Sequence, residues 1–272
     1  MGTLYLVATP IGNLEDFSPR AVRILKEAQL IAAEDTRVTQ KLLSHFEIGA
    51  KPISYHEHNK LSKLDEVLNA LQTGDVALVS DAGTPGINDP GYELVKAAID
   101  AGHTISPIPG PSAPIAALVA SGLPTDSFLY LGYLPRKSKE RREKLRDIES
   151  LSYTLIFLES PHRVLKALDD IEKELGNRPI VVAREITKLY EEFFRGDVAG
   201  AREHFTVNEP RGEFTLVVAG KTQADTVWTE ASLKSALDAG IAAGESPSSL
   251  AKRLAKESGW KRREIYQMIL DN

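Results

Sequence analysis

Four times in this chain an apolar run stops abruptly and gives way to a loop of small, stiff and charged residues. That alternation constrains the fold more than any other feature. The sharpest case is Val76-Ala77-Leu78-Val79, which ends at Ser80-Asp81 and continues through Ala82-Gly83-Thr84-Pro85-Gly86-Ile87-Asn88-Asp89-Pro90-Gly91 into an amphipathic stretch. Gly83 and Gly86 lack a Cβ and the prolines fix the path, so a ligand can approach this backbone closely. A carboxylate at the carboxyl end of a strand, beside such a loop, is where α/β proteins hold small ligands. Loops of similar chemistry occupy residues 8–14, 108–113 and 159–163. Together the four describe one assembled site better than four unrelated turns.

At 272 residues the chain is long enough for two medium α/β domains or one large one. Its 42% hydrophobic and 26% charged content is that of a soluble globular protein. With no cysteine, disulfides, thiolate catalysis and cysteine zinc sites are excluded. No apolar run approaches the roughly 20 residues needed to cross a bilayer. The start, Met1-Gly2-Thr3-Leu4-Tyr5, lacks the regions of a signal peptide, so a cytoplasmic protein with no membrane partner is expected. The net charge of −5 argues against wholesale nucleic-acid binding. Local basic clusters do occur, however, at Arg136, Lys137, Lys139, Arg141, Arg142, Lys144 and Arg146, and again at Lys252, Arg253, Lys256, Lys261, Arg262 and Arg263.

From the start to Gly122, strand and helix signals alternate. Strands are predicted at residues 4–8, 30–33, 76–79 and 104–108. Helices are predicted from Ser18-Pro19, over Leu64 to Leu71, from an Asp89-Pro90 cap with Leu94, Val95, Ala98 and Ile99 inward, and over 112–121. This pattern predicts a mostly parallel sheet covered by helices. After the linker 122–125, strands are predicted at 128–131, 154–158, 180–183, 189–195 and 214–219. A Ser160-Pro161 cap there opens a helix that Gly176 closes. Residues 229–272 read as three short helices. The expected division is 1–122, 123–222 and a small helical unit at 226–272, an α/β architecture of two domains plus a helical C-terminal unit.

The usual nucleotide fingerprints fail: there is neither a phosphate-binding Gly-x-x-x-x-Gly-Lys-Ser/Thr nor a Gly-x-Gly-x-x-Gly opening a helix. The ligand should therefore be held by loops without a pyrophosphate cradle. Glu34-Asp35-Thr36-Arg37 is either a strand-end salt bridge or part of the site. Glu159-Ser160-Pro161-His162-Arg163 offers a carboxylate, an imidazole and a guanidinium that a simple cap does not explain. His56 and His58 with Glu57 lack a third ligand at metal spacing, so no metal site is expected. The basic run over 136–146, read as a helix between two strands, is either a solvated face or a phosphate contact. The two helical stripes over 250–270 are consistent with a helix-turn-helix or with any compact helical pair.

Ala8-Thr9-Pro10-Ile11-Gly12-Asn13-Leu14, Ala33-Glu34-Asp35-Thr36-Arg37, Ser80 to Pro85, Asn88-Asp89-Pro90-Gly91, Pro109-Gly110-Pro111-Ser112-Ala113 and Glu159-Ser160-Pro161-His162-Arg163 occur in this order. The set closely resembles the bacterial 16S ribosomal RNA cytidine 2′-O-methyltransferases, a branch of the tetrapyrrole methylase superfamily, over residues 3 to 220. The resemblance implies two α/β domains with S-adenosylmethionine in the cleft between them. It implies methylation of a cytidine ribose in the decoding region of 16S rRNA, by a homodimer acting on RNA within the small ribosomal subunit. It also places the cofactor at Pro10, Asp81, Gly83, Thr84, Ile87, Ser112, Ala113, Leu158, Ala183 and Thr215. The superfamily's Gly-Asp-Pro loop falls on Gly83-Thr84-Pro85, so its carboxylate role passes to Asp81 or Asp89.

A ribose hydroxyl is a poor nucleophile and needs a base near it. The expected bases are Glu159, Asp35 and His162, in that order. Arg37 and Arg163 are expected to hold phosphates, with Arg136, Lys137, Arg141 and Arg142 as further RNA contacts. The rival reading is a small-molecule methylase acting on a tetrapyrrole of the precorrin type, with the same fold and no need for the basic helix.

Overall fold

The structure, a computed structural model, describes residues 2–56, 60–221 and 228–270. Five strands, β1 (Thr3–Val7), β2 (Leu30–Ala33), β3 (Ile53–Ser54), β4 (Val76–Val79) and β5 (Thr104–Ile108), alternate with five helices. These are α1 (Pro19–Glu27), α2 (Thr36–His45), α3 (Lys60–Thr73), α4 (Tyr92–Asp100) and α5 (Ala113–Ser121). The strands form one sheet in the order β3-β2-β4-β1-β5, with every pair parallel. Strand β4 is buried at all four positions, as expected for a strand covered on both faces. One face packs Val7, Leu25, Ile31 and Leu43, and the other packs Leu4, Val67, Leu71, Leu78 and Leu94.

A second sheet follows, of β6 (Phe128–Tyr133), β7 (Thr154–Glu159), β8 (Pro179–Arg184), β9 (Glu192–Asp197) and β10 (Phe214–Val218). Its order is β6-β7-β10-β8-β9, with β6 parallel to β7 and every other pair antiparallel. Helices α6 (Ser138–Asp147), α7 (Val164–Leu175) and α8 (Val198–Val207) cover one face around Phe157, Leu168, Ile171 and Phe205. The other face is covered from the first half of the chain: Ile11, Ala117 and Leu118 pack on Ile156, Val181 and Val217. Helix α5 thus joins the two sheets into one body.

Helices α9 (Glu230–Ala242), α10 (Pro247–Ser258) and α11 (Arg262–Leu270) enclose a small core of Leu233, Leu237, Leu250, Leu254 and Ile265. Three caps formed as their sequence dictates. The Ser18 hydroxyl accepts from the Ala21 N–H, Ser246 caps α10, and Thr229 caps α9.

The structure corrects several expectations. Helix α4 starts after Gly91, with no side-chain cap from Asp89, because that carboxylate is turned inward. Ile99 is exposed instead of facing the core. Ser160 does not cap α7 through its hydroxyl. Its carbonyl accepts from the Arg163 and Val164 N–H groups across an intervening turn. Strand β9 begins at Glu192, and Leu189 is 88% exposed. Helices α2 and α8 had no counterpart in the sequence reading. Among the described residues no helix is long and apolar enough to cross a membrane.

Candidate active site

The parallel register of the first sheet decides what meets what. Ala33 pairs with Val79, and Val7 pairs with both Val79 and Ile108, so the loops after β2, β4, β1 and β5 emerge side by side. They are then locked together. Thr9 and Gly83 exchange backbone hydrogen bonds of 2.9 and 3.0 Å. The Thr9 hydroxyl donates to the Ser80 carbonyl at 3.1 Å, and the Thr84 hydroxyl to the Pro111 carbonyl at 3.4 Å. Gly83 has φ +82°, a conformation L side chains rarely adopt.

These loops face the second sheet across a cleft of about 240 Å³. Asp81, Gly83, Thr84, Ile87, Ser112 and Ala113 line it from one side, and Leu158 and Thr215 from the other. Tyr130, Tyr133, Glu213 and Phe214 complete the far wall. The Asn88 side-chain amide donates to the Tyr130 hydroxyl and pins the long loop to β6. A second cavity of about 340 Å³ adjoins this cleft, shares Ile11, Asp81, Ala82 and Glu213 with it, and is lined by Pro10, Leu14, Lys41 and His45 as well. Pro10 therefore lies in the neighbouring cavity. Ala183 lines neither: it is fully buried, one strand behind Thr215.

The charge of the cleft is distinctive. Glu34, Asp81 and Asp89 all line it. The Asp35 N–H donates to the Asp81 carboxylate at 2.9 Å, and the Asp81 N–H to Glu34 at 3.4 Å. Burial raises the carboxyl groups of Glu34 and Asp81 above their usual range. The largest effect falls on Asp89. Burial, with Glu34 nearby, pushes it up to about 7 in spite of a hydrogen bond from Ser80. An acidic, half-enclosed cleft repels phosphate and favours a cation.

None of the three expected bases lines either cavity. Glu159 has a fully buried side chain, accepts from the Ser160 N–H at 2.9 Å and pairs with Arg163 at 3.1 Å. Burial raises its carboxyl. Asp35 caps α2 and is forked by Arg37, with contacts of 3.0 and 2.6 Å, which hold it far below the usual carboxylate range. His162 is exposed on the turn before α7.

The expected RNA contacts divide the same way. Arg136 and Lys137 are exposed. Arg141 is 4% exposed and is spent on Asp170 and on the Pro135 and Arg136 carbonyls, so it is unavailable to a phosphate. Arg163 is similarly committed to Glu159 and the Leu134 carbonyl. Arg142 is half exposed beside Asp170 and Glu174, and Arg37 is open to solvent except for its contact with Asp35. Glu57 and His58 lie outside the described residues. Neither the raised carboxyl of Asp89 nor the tyrosine wall is foreseen from the sequence. Asp89 sits in a motif that was visible, but its electrostatics depend on Glu34, which is remote in sequence.

A two-sheet α/β body with a cleft at its strand ends has clear relatives. The sequence profile of the tetrapyrrole (corrin/porphyrin) methylases matches residues 3–201. The fold is similar to that of the methyltransferase CobJ (TM-score 0.60, 19% identity, 81% of this chain and 95% of that one). It is also similar to diphthine synthase (TM-score 0.63, 14% identity, 81% and 91%). A protein of Synechocystis named ribosomal RNA small subunit methyltransferase I is 49% identical over 100% of this chain and 98% of its own length. A Halalkalibacterium halodurans protein of the same name is 50% identical over 98% of this chain and 94% of its own. The chain belongs to the tetrapyrrole methylase family and, within it, to the ribosomal RNA small subunit methyltransferase I group.

Proposed function

We propose that this methyltransferase moves a methyl group from S-adenosylmethionine to the ribose 2′-hydroxyl of a cytidine in the decoding region of 16S rRNA. It would act in the cytoplasm, as a homodimer, on RNA within the small ribosomal subunit. The observation that carries the reading is the acidic cleft built from glycine-stiffened loops on one side and β7 and β10 on the other.

The residues fit the cofactor. Gly83 and Ala113 allow close approach to backbone, Ile11, Ile87 and Leu158 offer apolar surface for a base, and the Thr84, Ser112 and Thr215 hydroxyls offer polar anchors. Glu34, Asp81 and Asp89 complement a positive charge. When bound there, S-adenosylmethionine supplies a methyl group made electrophilic by its sulfonium.

The chain's own task is then to orient a ribose and take its proton. Most of the rate enhancement comes from placing the hydroxyl in line. Asp89 is the proposed proton acceptor: its carboxyl lines the cleft beside the proposed methyl donor, and burial poises it near the working pH. The target nucleotide has to leave its stack to reach so enclosed a site, and the neighbouring cavity under Pro10, Leu14 and His45 has room for it.

The small-molecule rival is not favoured. The relatives at 49 and 50% identity carry the ribosomal RNA name over nearly their whole length, whereas the methyltransferase CobJ is 19% identical. The test is methyl incorporation from labelled S-adenosylmethionine into 30S subunits, set against precorrin-type acceptors, with mass-spectrometric mapping of the product. A single methylated cytidine ribose in 16S rRNA is expected. Label in the tetrapyrrole instead would reverse the assignment.

A further inference from the structure

We infer, on the functional reading just given, that the RNA strand leading to the target nucleotide lies in the open groove beside α2, held by Lys41 and Lys51, and not along the basic helix α6. The groove, about 880 Å³, is lined by Arg37, Gln40, Lys41, Ser44, His45 and Lys51. It shares Lys41 and His45 with the 340 Å³ cavity, which in turn shares Ile11, Asp81, Ala82 and Glu213 with the acidic cleft. One continuous track therefore runs from open surface to the proposed site of chemistry.

Charge separates the two basic surfaces. On α6 most cations are already matched: Lys137 with Glu140, Lys139 with Glu143, Arg146 with Glu174, and Arg141 buried on Asp170. Lys144 donates to the Leu131 carbonyl, and Arg136, just before the helix, is the one exposed cation there without an ion pair among the described residues. In the α2 groove Lys41 and Lys51 are exposed, and among the described residues neither has an ion-pair partner. Arg37 stands at the rim with its charge partly matched by Asp35. The acidic cleft repels phosphates, so a bound strand has to keep its backbone outside and send in only a nucleoside. The groove is where exposed cations border that entrance, since Lys41 lines both the groove and the 340 Å³ cavity. Gln40 and Ser44 supply neutral donors for the sugar–phosphate chain, and the exposed His45 ring, edge-on to Phe46 at 4.8 Å, offers a face for an unstacked base.

The test uses the 272-residue protein and a fluorescein-labelled single-stranded RNA of decoding-region sequence, with affinity followed by anisotropy from 50 to 200 mM salt. Each lost single-strand phosphate contact lowers the salt slope by about 0.7, so the Lys41→Ala/Lys51→Ala double variant should lower it by about 1.4. The Arg142→Ala/Arg146→Ala pair on α6 should leave the slope unchanged. Affinity for S-adenosylmethionine, measured by calorimetry, should be equal in all three proteins because none of these residues lines the acidic cleft. An unchanged slope in the α2 variant, or a reduced slope in the α6 variant, overturns the assignment. Wild-type protein that binds this RNA but not S-adenosylmethionine would instead sink the methyl-transfer reading and leave the groove result standing.

Discussion

The Arg141 guanidinium donates from Nε to Asp170 Oδ2 at 2.7 Å, with both side chains almost fully enclosed between α6 and α7. A charge run that looks like an RNA-binding face thus sends one of its arginines into the core. Removing one partner of a buried pair leaves an uncompensated charge. Arg141→Ala should therefore cost about 3–5 kcal/mol in urea unfolding. Arg142→Ala, at a half-exposed position, should cost less than about 1 kcal/mol. Equal costs would mean that the Arg141 pair is not buried in solution.

As the proposed proton acceptor, Asp89 should make the reaction pH-dependent in a definite direction. Its folded-state carboxyl is raised to about 7 from the ordinary 3.8. A proton acceptor must be ionised, so the single-turnover rate should rise as pH climbs through about 7 and level off above it. Asp89→Asn should abolish that rise and lower the plateau by roughly 10²–10⁴-fold. A variant retaining the wild-type profile removes Asp89 from the mechanism.

The same group has a stability consequence with the opposite sense. Between about pH 4 and 7 the folded state holds a proton that the unfolded chain has released, so stability is fully present below the unfolded value and falls as pH rises through the folded one. Asp89→Asn should stabilise the protein at pH 8 by about 1–2 kcal/mol, after allowance for solvent screening, and have little effect at pH 4. Thermal melts of both proteins at the two pH values read this directly.

Glu159 offers the matching control. Its carboxylate ties the Ser160 N–H to Arg163 and lines neither cavity. Glu159→Gln should lower the melting temperature while the single-turnover rate at saturating substrate stays near wild type. A rate loss of a hundredfold or more would return Glu159 to the role its motif suggested.

Gly132 tests the closure of the cleft. It sits at φ +61°, and a Cβ there would lie 2.6 Å from the Asn88 amide oxygen. Gly132→Ala should break the tie between the long loop and β6, cost about 1–3 kcal/mol, and weaken S-adenosylmethionine binding. Unchanged calorimetric affinity would show that this tie is dispensable.

Which parts of this were legible beforehand follows from physical locality. The ligand loops announce themselves because Gly83, Pro85 and Pro111 act through their own backbone conformation. Strand β4 is readable for a similar reason, since four consecutive apolar residues need cover on both faces. What sequence conceals is pairing at long range. Asp89 owes its raised carboxyl partly to Glu34, 55 positions earlier and brought alongside by the β2–β4 register. Arg141 did carry a signal, because it precedes the buried Leu145 and Ile148 at helical spacing. Helix α8 was likewise marked by the Asp197 cap and by Val198, Ala201 and Phe205. Helix α2 buries only Thr39 and Leu43, too thin a stripe to stand out.

The central claim is that loops from the first sheet and strands from the second enclose one donor pocket. A crystal structure with S-adenosylhomocysteine tests it most directly. The adenosine should lie between Gly83-Thr84 and Ser112-Ala113 on one side and Leu158 and Thr215 on the other, with the sulfur turned towards the neighbouring cavity. Density for the ligand elsewhere on the molecule, or none at saturating concentration, would contradict it.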